Sequence, residues 1–545
     1  MTRPEKYLGV APGESPSEAP KSDSVEGSSL TRRHFLAGTA GTLVAPLLVG
    51  GAAGAQTEAQ QGAAAAPTSP AAPSAAKVTG EKFIAIQAGA ISFVDEGVDK
   101  ALDNFQQRAG VNAVMLATFS YANAIAGRAG RGQPLPDHGA QQYDTDRQGG
   151  DYAAVHSQYY RDSVFGDIRA PETANFDVLA EVVPKAKARG MKSYAWYDDQ
   201  VSPARVPGFE LNAAEIDVYG RPSRFPCFAN PHVQKFYASL AEDWVNSYEL
   251  DGVMFGCERQ GPLNNTIMAY GVGGAGHNAP TCFCAYCVEK ARGWGLDPVR
   301  ARAGFVALDE WVRSVRANGR PTDGYFVTFW RLLLEYPELL AWEKLWTDNL
   351  WSYYRLVYGE LKAIRPGLRV GLHIWHNNSF SPFYRAEVDY SKYAECADFL
   401  KIVAYNNSGG PRMAAYVRNL HSTVLGDITP EQSLEMHYEM LGYTGEADYD
   451  HLTQAGFTAQ YVAEEARRAL AGVAGRLPIY MGVDVDVPTG PGEKRTQPED
   501  VRLSVHAALE AGTQGVVLSR KYSEMMLANL SAAGQALKEM GVWKG

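Results

Sequence analysis

The feature that most constrains the fold of this chain is an alternation of short apolar runs with amphipathic helical stretches from Lys82 onward. Many runs follow a helix ending in Gly, as in KAKARGMKSY and ALEAGTQGVV, which is typical of a helix C-cap leading into a strand. The alternation predicts a parallel sheet covered by helices. The eight runs are KFIAIQAGAISF, VNAVMLATFS, MKSYAWYDD, DGVMFGCER, RVGLHIWHN, DFLKIVAYNN, LPIYMGVDVDVP and GVVLSRKYSE.

Eight strands in one repeating pattern predict an α/β fold of the (β/α)8 TIM-barrel type with long βα loops. An open doubly wound sheet is the competing fold. No G-x-G-x-x-G motif follows the first run, so a dinucleotide-binding sheet has little support. The chain also lacks a repeat of 20–50 residues, which argues against a solenoid or a propeller.

The N-terminal segment 1–56 has the pattern of a twin-arginine signal peptide. Arg32 and Arg33 precede a weakly apolar stretch that ends in small residues near Ala55. That stretch is rich in Gly and Ala and contains Pro46, so it is poorly hydrophobic for a membrane-spanning helix. We therefore expect a bacterial protein that is periplasmic or secreted and has no stable membrane anchor.

The rest of the chain is predicted to be a linker followed by one catalytic domain. Residues 57–80 are rich in Ala, Pro and Ser, have no periodicity and are predicted to be disordered. Residues 81–545 are predicted to form the barrel, with an insertion at about 260–340. Long βα loops, such as the connection at about 121–177, build the site at the C-terminal face of a barrel.

The overall charge bears on the kind of ligand. The formal net charge of −10 argues against nucleic acid as a partner. The 10 Trp and 29 Tyr residues supply rings that can stack on sugars, although we expect most of them to serve packing. A carbohydrate is therefore compatible with this composition.

Carboxylates stand at the C-terminal ends of two apolar runs, where stability alone does not require charge. Glu258 ends the fourth run and Asp484 ends the seventh. Glycoside hydrolysis needs two carboxylates that face each other across a bound sugar. We predict Glu258 and Asp484 as this catalytic pair. Asp486 is the rival of Asp484, because a spacing of two places both on the same side of a strand. A structural ion pair or a loop cap is the alternative role for each.

Other polar and aromatic residues at the ends of the runs are predicted to bind sugar hydroxyl groups or to tune the carboxylates. A hydrogen-bonded core position is an equally good interpretation of His373. The predicted set is Trp196, Asp198, Asp199, His373, Tyr405, Asp486 and Arg520.

Three of the six cysteines are crowded into the C-x-C-x-x-C motif of TCFCAYC at 281–287. Cysteines this close rarely form comfortable disulfides with one another. One further ligand would complete a closed, structural zinc site. Cys227, Cys257 and His277 are the candidates for that ligand. The alternative is a set of free or oxidised thiols in an exported protein.

The stretches FPCFANP, DGVMFGCERQG and TCFCAYCVEKARGWG, within about 224–295, resemble glycoside hydrolase family 42, the β-galactosidases, and related uncharacterised barrel glycosidases. The resemblance implies a (β/α)8 barrel, a retaining mechanism and Glu258 as acid/base. Two positions depart from the family: Cys257 stands where the family has Asn, and Asp484 where it has a Glu nucleophile. The zinc ligands that the resemblance implies are Cys227, Cys282, Cys284 and Cys287.

The sequence therefore predicts an exported glycoside hydrolase that cleaves an extracytoplasmic oligo- or polysaccharide and contains a structural zinc ion. In this prediction Glu258 is the general acid/base and Asp484 is the nucleophile, with Asp486 as its rival. Two alternatives remain open. One is a metal-dependent barrel lyase, isomerase or hydrolase that uses His373, His376, Asp484 and Asp486. The other is a barrel that binds carbohydrate without turnover.

Overall fold

Eight parallel strands close into a barrel. The computed structural model describes residues 81–145, 147–165, 168–199, 206, 208–268 and 279–545. Each strand pairs with the next along the chain, and the first also pairs with the last. The strands are β1 (Phe83–Gly89), β2 (Ala113–Ser120), β3 (Lys192–Asp198), β4 (Gly252–Gly256), β5 (Arg369–Ile374), β6 (Phe399–Val403), β7 (Ile479–Asp484) and β8 (Gly515–Ser519).

The predicted (β/α)8 barrel is confirmed, because each of the eight apolar runs contains one of these strands. The strands are buried almost throughout, since helices cover the outside of the barrel and side chains fill the inside. The predicted signal peptide 1–56, the linker 57–80 and the candidate ligand His277 lie outside the described residues.

Eighteen α-helices are found in the described part of the chain, and several begin at recognisable caps. Asp177, Asn230, Asp297 and Thr429 each accept a hydrogen bond from a backbone N–H of the helix that follows. The helices are α1 (Ala90–Glu96), α2 (Val98–Ala109), α3 (Asn123–Ala126), α4 (Val178–Ala188), α5 (Phe209–Asn212), α6 (Pro231–Ser247), α7 (Pro262–Ile267), α8 (Ala285–Gly293), α9 (Pro298–Asn318), α10 (Tyr325–Glu335), α11 (Glu338–Ile364), α12 (Pro382–Glu387), α13 (Asn406–His421), α14 (Pro430–Leu441), α15 (Tyr449–Ala455), α16 (Ala459–Val473), α17 (Pro498–Glu510) and α18 (Leu527–Glu539).

Short elements decorate the connections. Ala214–Ile216 and Pro222–Pro226 form an antiparallel hairpin between β3 and β4, and Gly150–Asp151 pairs with β2. Single 3-10 turns lie at Ser157–Tyr159, Pro171–Thr173, His376–Ser379, Tyr390–Glu395 and Tyr522–Glu524. Helices α7 to α11 all lie between β4 and β5. Within the described residues no helix is both long and apolar enough to cross a membrane.

The N-terminal end of the barrel is closed by aromatic rings around Arg369. Its Nη2 donates to Tyr480 Oη at 2.8 Å, and its guanidinium lies 5.0 Å from the ring centre of Phe399. Phe83 stacks on Tyr480 with ring centres 4.3 Å apart. Gly371 permits this packing, because a Cβ there would lie 2.0 Å from the Phe399 ring. This filled floor leaves the C-terminal mouth as the end of the barrel at which polar side chains can meet a ligand.

Candidate functional site

Glu258 lies at the C-terminal mouth of the barrel, two residues after β4. Its Oε1 is 2.8 Å from Nε2 of His373 on β5. The Glu258 side chain is 34% exposed, whereas that of His373 is 5% exposed. Glu258 is thus a partly exposed carboxylate held by a buried imidazole.

Lys401 of β6 lies inside the barrel below this pair. Its Nζ donates to Gln87 Oε1 at 2.7 Å and to Tyr405 Oη at 3.0 Å, and lies 3.4 Å from His373 Nδ1. Burial lowers the pKa of Lys401 to about 7. Gly482 on β7 leaves room for the lysine, because a Cβ there would lie 2.9 Å from Lys401 Cε. Lys401 therefore links β1, β5 and Tyr405, the residue before α13.

The hydrogen bonds assign the proton on His373. Because the Lys401 ammonium donates toward Nδ1, the neutral imidazole carries its proton on Nε2 and donates it to Glu258. Burial, together with the charge of Lys401, lowers the pKa of His373. Burial acts to raise the pKa of Glu258, but the hydrogen bond from His373 and the charges of Arg412 and Lys401 outweigh it, and the net shift is downward. Glu258 is therefore ionised at neutral pH.

Helix α13 brings Arg412 toward the same carboxylate. Its Nη1 donates to His376 Nδ1 at 2.8 Å, and His376 Nε2 is 3.0 Å from Tyr461 Oη. Burial and the charge of Arg412 lower the pKa of His376 well below its ordinary value, so this imidazole is neutral. Gly409 allows the close approach of α13, because a Cβ there would lie 2.7 Å from the Phe457 ring.

Arg520 follows β8 and forms a two-point ion pair with Glu524. Arg520 Nε and Nη2 donate to the Glu524 carboxylate at 3.0 and 2.9 Å, and Lys521 Nζ lies 3.2 Å from the same group. The charge of Glu258 also acts on Arg520. The structure thus brings together four of the predicted residues, namely Glu258, His373, Tyr405 and Arg520.

Asp484 ends β7 and is fully buried. Its carboxylate accepts hydrogen bonds from Ser408 N at 3.0 Å, from Val487 N at 3.0 Å and from Thr496 Oγ1 at 3.3 Å. Burial raises its pKa. The bond to Ser408 N anchors the first turn of α13. The charge of Arg412 acts on Asp484 as well as on Glu258, so both members of the predicted pair lie near one guanidinium.

Asp486 does not share the side of the strand that carries Asp484. The strand ends at Asp484, and Asp486 has the left-handed φ of 62°, so the two-residue period no longer applies. Its carboxylate accepts from Met526 N at 2.8 Å and from Asn529 Nδ2 at 2.7 Å at the start of α18. Burial raises the pKa of Asp486 to about 7. In this structure Asp486 anchors the first turn of α18.

Three predicted sugar-binding residues at the end of β3 are buried. Trp196 is 4% exposed, so neither face of its ring is open for a sugar to stack on. Asp198 accepts from Ser120 Oγ at 2.7 Å, and Asp199 accepts from Arg259 Nε at 2.7 Å. These side chains bind neighbouring segments of the chain, and their contact with sugar stays a prediction.

Sequence reasoning missed Gln87 and Arg412 and did not select Lys401. Gln87 and Lys401 carried a usable signal, because each is a polar residue in the middle of an apolar strand. Arg412 carried none, because an arginine in the second turn of a helix is ordinary. Only the packing of α13 places it near Glu258.

The four predicted cysteine ligands form one buried group, with their sulfur atoms within 4.8 Å of one another. Cys227 Sγ lies 3.6 Å from both Cys284 Sγ and Cys287 Sγ. A tetrahedral zinc ion with Zn–S distances of about 2.3 Å separates its sulfur ligands by about 3.8 Å. A disulfide would need about 2.05 Å, and all four cysteines are free. The fourth member is Cys282, and the group fits a zinc ion.

The surroundings of these sulfur atoms suit thiolates. Cys282 Sγ accepts from Ile216 N at 3.4 Å and from Cys284 N at 3.5 Å, and Cys287 Sγ accepts from Asn349 Nδ2 at 3.7 Å. Cys284 is also the N-cap of α8, where the helix dipole favours negative charge. Among the candidates for the fourth ligand, Cys227 joins the triplet, whereas Cys257 lies elsewhere, with its Sγ directed at Arg259 O.

A buried ion network connects the cysteine group to the barrel mouth. Besides Asp199, Arg259 contacts Glu215, with Nη1 3.2 Å from Oε1. Glu215 accepts from Thr281 Oγ1 at 2.6 Å and from Trp346 Nε1 at 3.1 Å. Arg259 directly follows Glu258, and Thr281 directly precedes Cys282. The two sites are therefore joined through one carboxylate.

The metal-dependent alternative finds no support at its predicted ligands. Within the described residues, the four cysteines are the one group of three or more His, Cys, Asp or Glu side chains whose ligand atoms converge. The Nδ1 atoms of His373 and His376 instead face the cationic groups of Lys401 and Arg412.

Comparison with known proteins finds structural similarity to glycoside hydrolases. No family model and no curated protein matches the chain. A β-galactosidase from Halorubrum lacusprofundi superposes with a TM-score of 0.47 at 13% identity, over 84% of this chain and 58% of that protein. A β-galactosidase from Bacillus circulans superposes with a TM-score of 0.44 at 14% identity, over 84% of this chain and 56% of that protein. An α-L-fucosidase from Paenibacillus thiaminolyticus superposes with a TM-score of 0.43 at 13% identity, over 84% of this chain and 49% of that protein.

This chain thus spans about half to three-fifths of the length of those proteins. Their identities and TM-scores are too low to transfer an activity.

Proposed function

We propose that this chain is a glycoside hydrolase acting on an oligo- or polysaccharide outside the cytoplasm. The observation that carries the proposal is Glu258, an ionised and partly exposed carboxylate at the C-terminal mouth of a (β/α)8 barrel. Catalytic groups of such barrels lie at this face. The twin-arginine pattern of residues 1–56 and the local resemblance to family 42 support the location and the reaction class.

The environments of the two predicted carboxylates support opposite roles. Glu258 has a lowered pKa, which suits a nucleophile or a general base, whereas burial raises the pKa of Asp484, as a general acid requires. This order reverses the roles predicted from the sequence, in which Glu258 is the acid/base and Asp484 is the nucleophile. As a general acid, Asp484 needs a substrate oxygen to replace Thr496 Oγ1, the longest of its three hydrogen bonds.

The remaining residues at the mouth would bind and orient the sugar. Arg520 is partly exposed, and Trp375 is half-buried with its ring edge-on to Tyr384. Both follow barrel strands and lie on the side that carries Glu258. Tyr405 lies deeper, where it fixes Lys401.

The four cysteines would hold a zinc ion with a structural role. Four thiolate ligands complete a tetrahedron and leave no open position for water or substrate. The ion would tie the hairpin before Cys227, which contacts Arg259 through Pro226 and Glu215, to the loop that starts α8.

Replacing Glu258 by Gln tests the proposal. The purified mature protein is assayed against aryl glycosides and against plant and microbial polysaccharides. We expect Glu258→Gln to lose about 1,000-fold or more in kcat at an unchanged unfolding temperature. Glu360→Gln, at an exposed position of α11, should retain full activity. A fully active Glu258→Gln protein would overturn the proposal, and sugar binding without turnover would favour the non-catalytic alternative.

A further inference from the structure

We propose that the sugar bound at this site carries a carboxylate, as a hexuronic acid does, and that Arg412 binds it. The inference rests on the proposed function, since it names the substrate class of the same site. The contacts of the Arg412 guanidinium support it.

Arg412 carries a positive charge without a contacting counter-charge. Among the described residues, no carboxylate lies within 4.0 Å of its nitrogen atoms, and its hydrogen-bond partner is the neutral imidazole of His376. Three other arginines behave differently: Arg259 contacts Asp199, Arg468 contacts Glu465 and Arg520 contacts Glu524. The guanidinium of Arg412 at the barrel mouth is therefore available to an anion.

Leaving a partly buried charge unpaired is unfavourable, because burial removes water and supplies no counter-ion. The cost is visible at Arg412, where burial and the charge of Arg520 lower the pKa of the guanidinium. An anionic group on the substrate would remove this penalty. A guanidinium also presents two parallel N–H groups that match a planar carboxylate.

The position of Arg412 limits where the anion lies on the sugar. Its charge acts on both Glu258 and Asp484, so it lies within electrostatic range of the proposed catalytic pair. We therefore assign the anionic group to the ring whose glycosidic bond is cleaved. The C5 carboxylate of a hexuronic acid sits on that ring, next to the ring oxygen. A local cation also offsets the repulsion of an anionic sugar by a chain of net charge −10.

The test compares 4-nitrophenyl hexuronides with the matched neutral hexosides, which differ only in a carboxylate for the C6 hydroxymethyl group. We expect the wild-type protein to prefer one hexuronide in kcat/KM. Arg412→Gln should lower kcat/KM for that hexuronide by about 10- to 100-fold more than it lowers kcat/KM for the neutral partner, which reports any general effect of the lost charge on Glu258. Arg412→Lys should retain part of the preference for the hexuronide, because it keeps the positive charge but loses the two parallel N–H donors of the guanidinium.

Arg418→Gln is the matched control, because Arg418 is exposed in the last turn of the same helix. It should leave both rates unchanged, and the unfolding temperature of each variant shows whether it is folded. A wild-type protein that hydrolyses neutral hexosides as well as every matched hexuronide would overturn the inference. A preference for sulfated hexosides over hexuronides would overturn the carboxylate assignment.

Calorimetric binding of free hexuronic acids separates this inference from the proposed function. Binding that Arg412→Gln abolishes, without turnover of any glycoside, would support the carboxylate site and overturn hydrolysis. Turnover of neutral hexosides alone would support hydrolysis and overturn the carboxylate site. Failure of every hexuronide and hexuronic acid to bind or react would overturn the carboxylate site.

Discussion

Arg259 donates a hydrogen bond from Nη2 to the backbone oxygen of Pro226 at 3.0 Å. Arg259 directly follows Glu258, and Pro226 directly precedes Cys227. The same guanidinium lies 4.4 Å from the ring centre of Phe228, so it is fixed from two directions. One hydrogen bond therefore connects the segment of the proposed catalytic carboxylate to the cysteine group.

The cysteine group should bind zinc through Cys227. We expect the purified protein to contain about one zinc ion per chain and Cys227→Ser to lose it and to unfold several degrees lower, because a structural metal site contributes directly to folding. Elemental analysis and thermal unfolding measure both effects. Cys396→Ser is the control, since Cys396 is equally buried but lies outside the group, and it should retain the zinc. Equal zinc contents in the two variants would contradict this ligand set.

Arg259→Gln should destabilise the protein by about 3–5 kcal/mol, because it leaves the carboxylates of Asp199 and Glu215 buried without their cation. Denaturant unfolding measures the change in free energy. Arg224→Gln, at an exposed position of the nearby hairpin, should change it by less than about 0.5 kcal/mol. A similar, small effect of both substitutions would show that the buried network does not support this region.

The fall of kcat/KM at low pH should follow the protonation of Glu258. Its pKa is lowered from the ordinary 4.5, so the carboxylate stays ionised above that value and is protonated only at a lower pH. We expect kcat/KM to fall on the acid side with a midpoint below pH 4.5. His373→Ala removes the hydrogen bond that lowers the pKa and should move this midpoint to higher pH. If the midpoint of the acid-side decline is the same in His373→Ala as in the wild-type protein, a group other than Glu258 causes that decline.

Besides the ionisation of Asp484 as the general acid, the decline of kcat/KM with rising pH should contain a step from Lys401, whose pKa burial lowers to about 7. As the pH rises through 7, the ammonium that fixes the tautomer of His373 is lost, and kcat/KM should decline. Stability should change in the opposite direction: between about pH 7 and 10.5 the unfolded chain holds a proton that the folded chain has released, so stability rises with pH.

Lys401→Met tests this assignment, because it cannot titrate. It should lower kcat/KM and abolish the step of the pH profile near pH 7. Lys392→Met, at an exposed position, should keep the wild-type profile. A step near pH 7 that persists in Lys401→Met would exclude Lys401 as its source.

The role of Asp484 can be tested with leaving groups of different quality. A general acid matters most for a poor leaving group, so Asp484→Asn should reduce kcat strongly for alkyl glycosides and weakly for nitrophenyl glycosides. The amide preserves the size of the side chain, and its oxygen can still accept from Ser408 N. Equal losses on both substrates, with a lowered unfolding temperature, would instead show that Asp484 serves only to anchor α13.

Much of the fold was predictable because its signal is local. The β6 run DFLKIVAYNN is apolar because parallel barrel strands are buried on both faces, and glycines at helix ends mark where the strands begin. Glu258 was predictable for the same reason, since a carboxylate that directly follows a buried strand lies at the barrel mouth. The C-x-C-x-x-C spacing predicted three members of the cysteine group within one loop.

Other predictions depended on turns that the sequence does not specify. The two-residue period assigned Asp486 to the side of the strand that carries Asp484, but the strand ends at Asp484 and a left-handed residue redirects the chain toward α18. The position of Trp196 at the end of an apolar run predicted contact with sugar, but its side chain lies buried in the barrel.

The sequence by itself determined the eight strands, the position of Glu258 at the end of β4 and the crowding of three thiols after it. It did so because strand periodicity, helix caps and cysteine spacing act over a few neighbouring residues. Only the tertiary structure decided that Cys227 closes the cysteine group and that Lys401 and His373 set the protonation of Glu258. It also decided that Arg412 lies near Glu258 while no carboxylate of the described residues contacts it. Those relationships join residues tens to more than a hundred positions apart, and barrel closure is what brings them together.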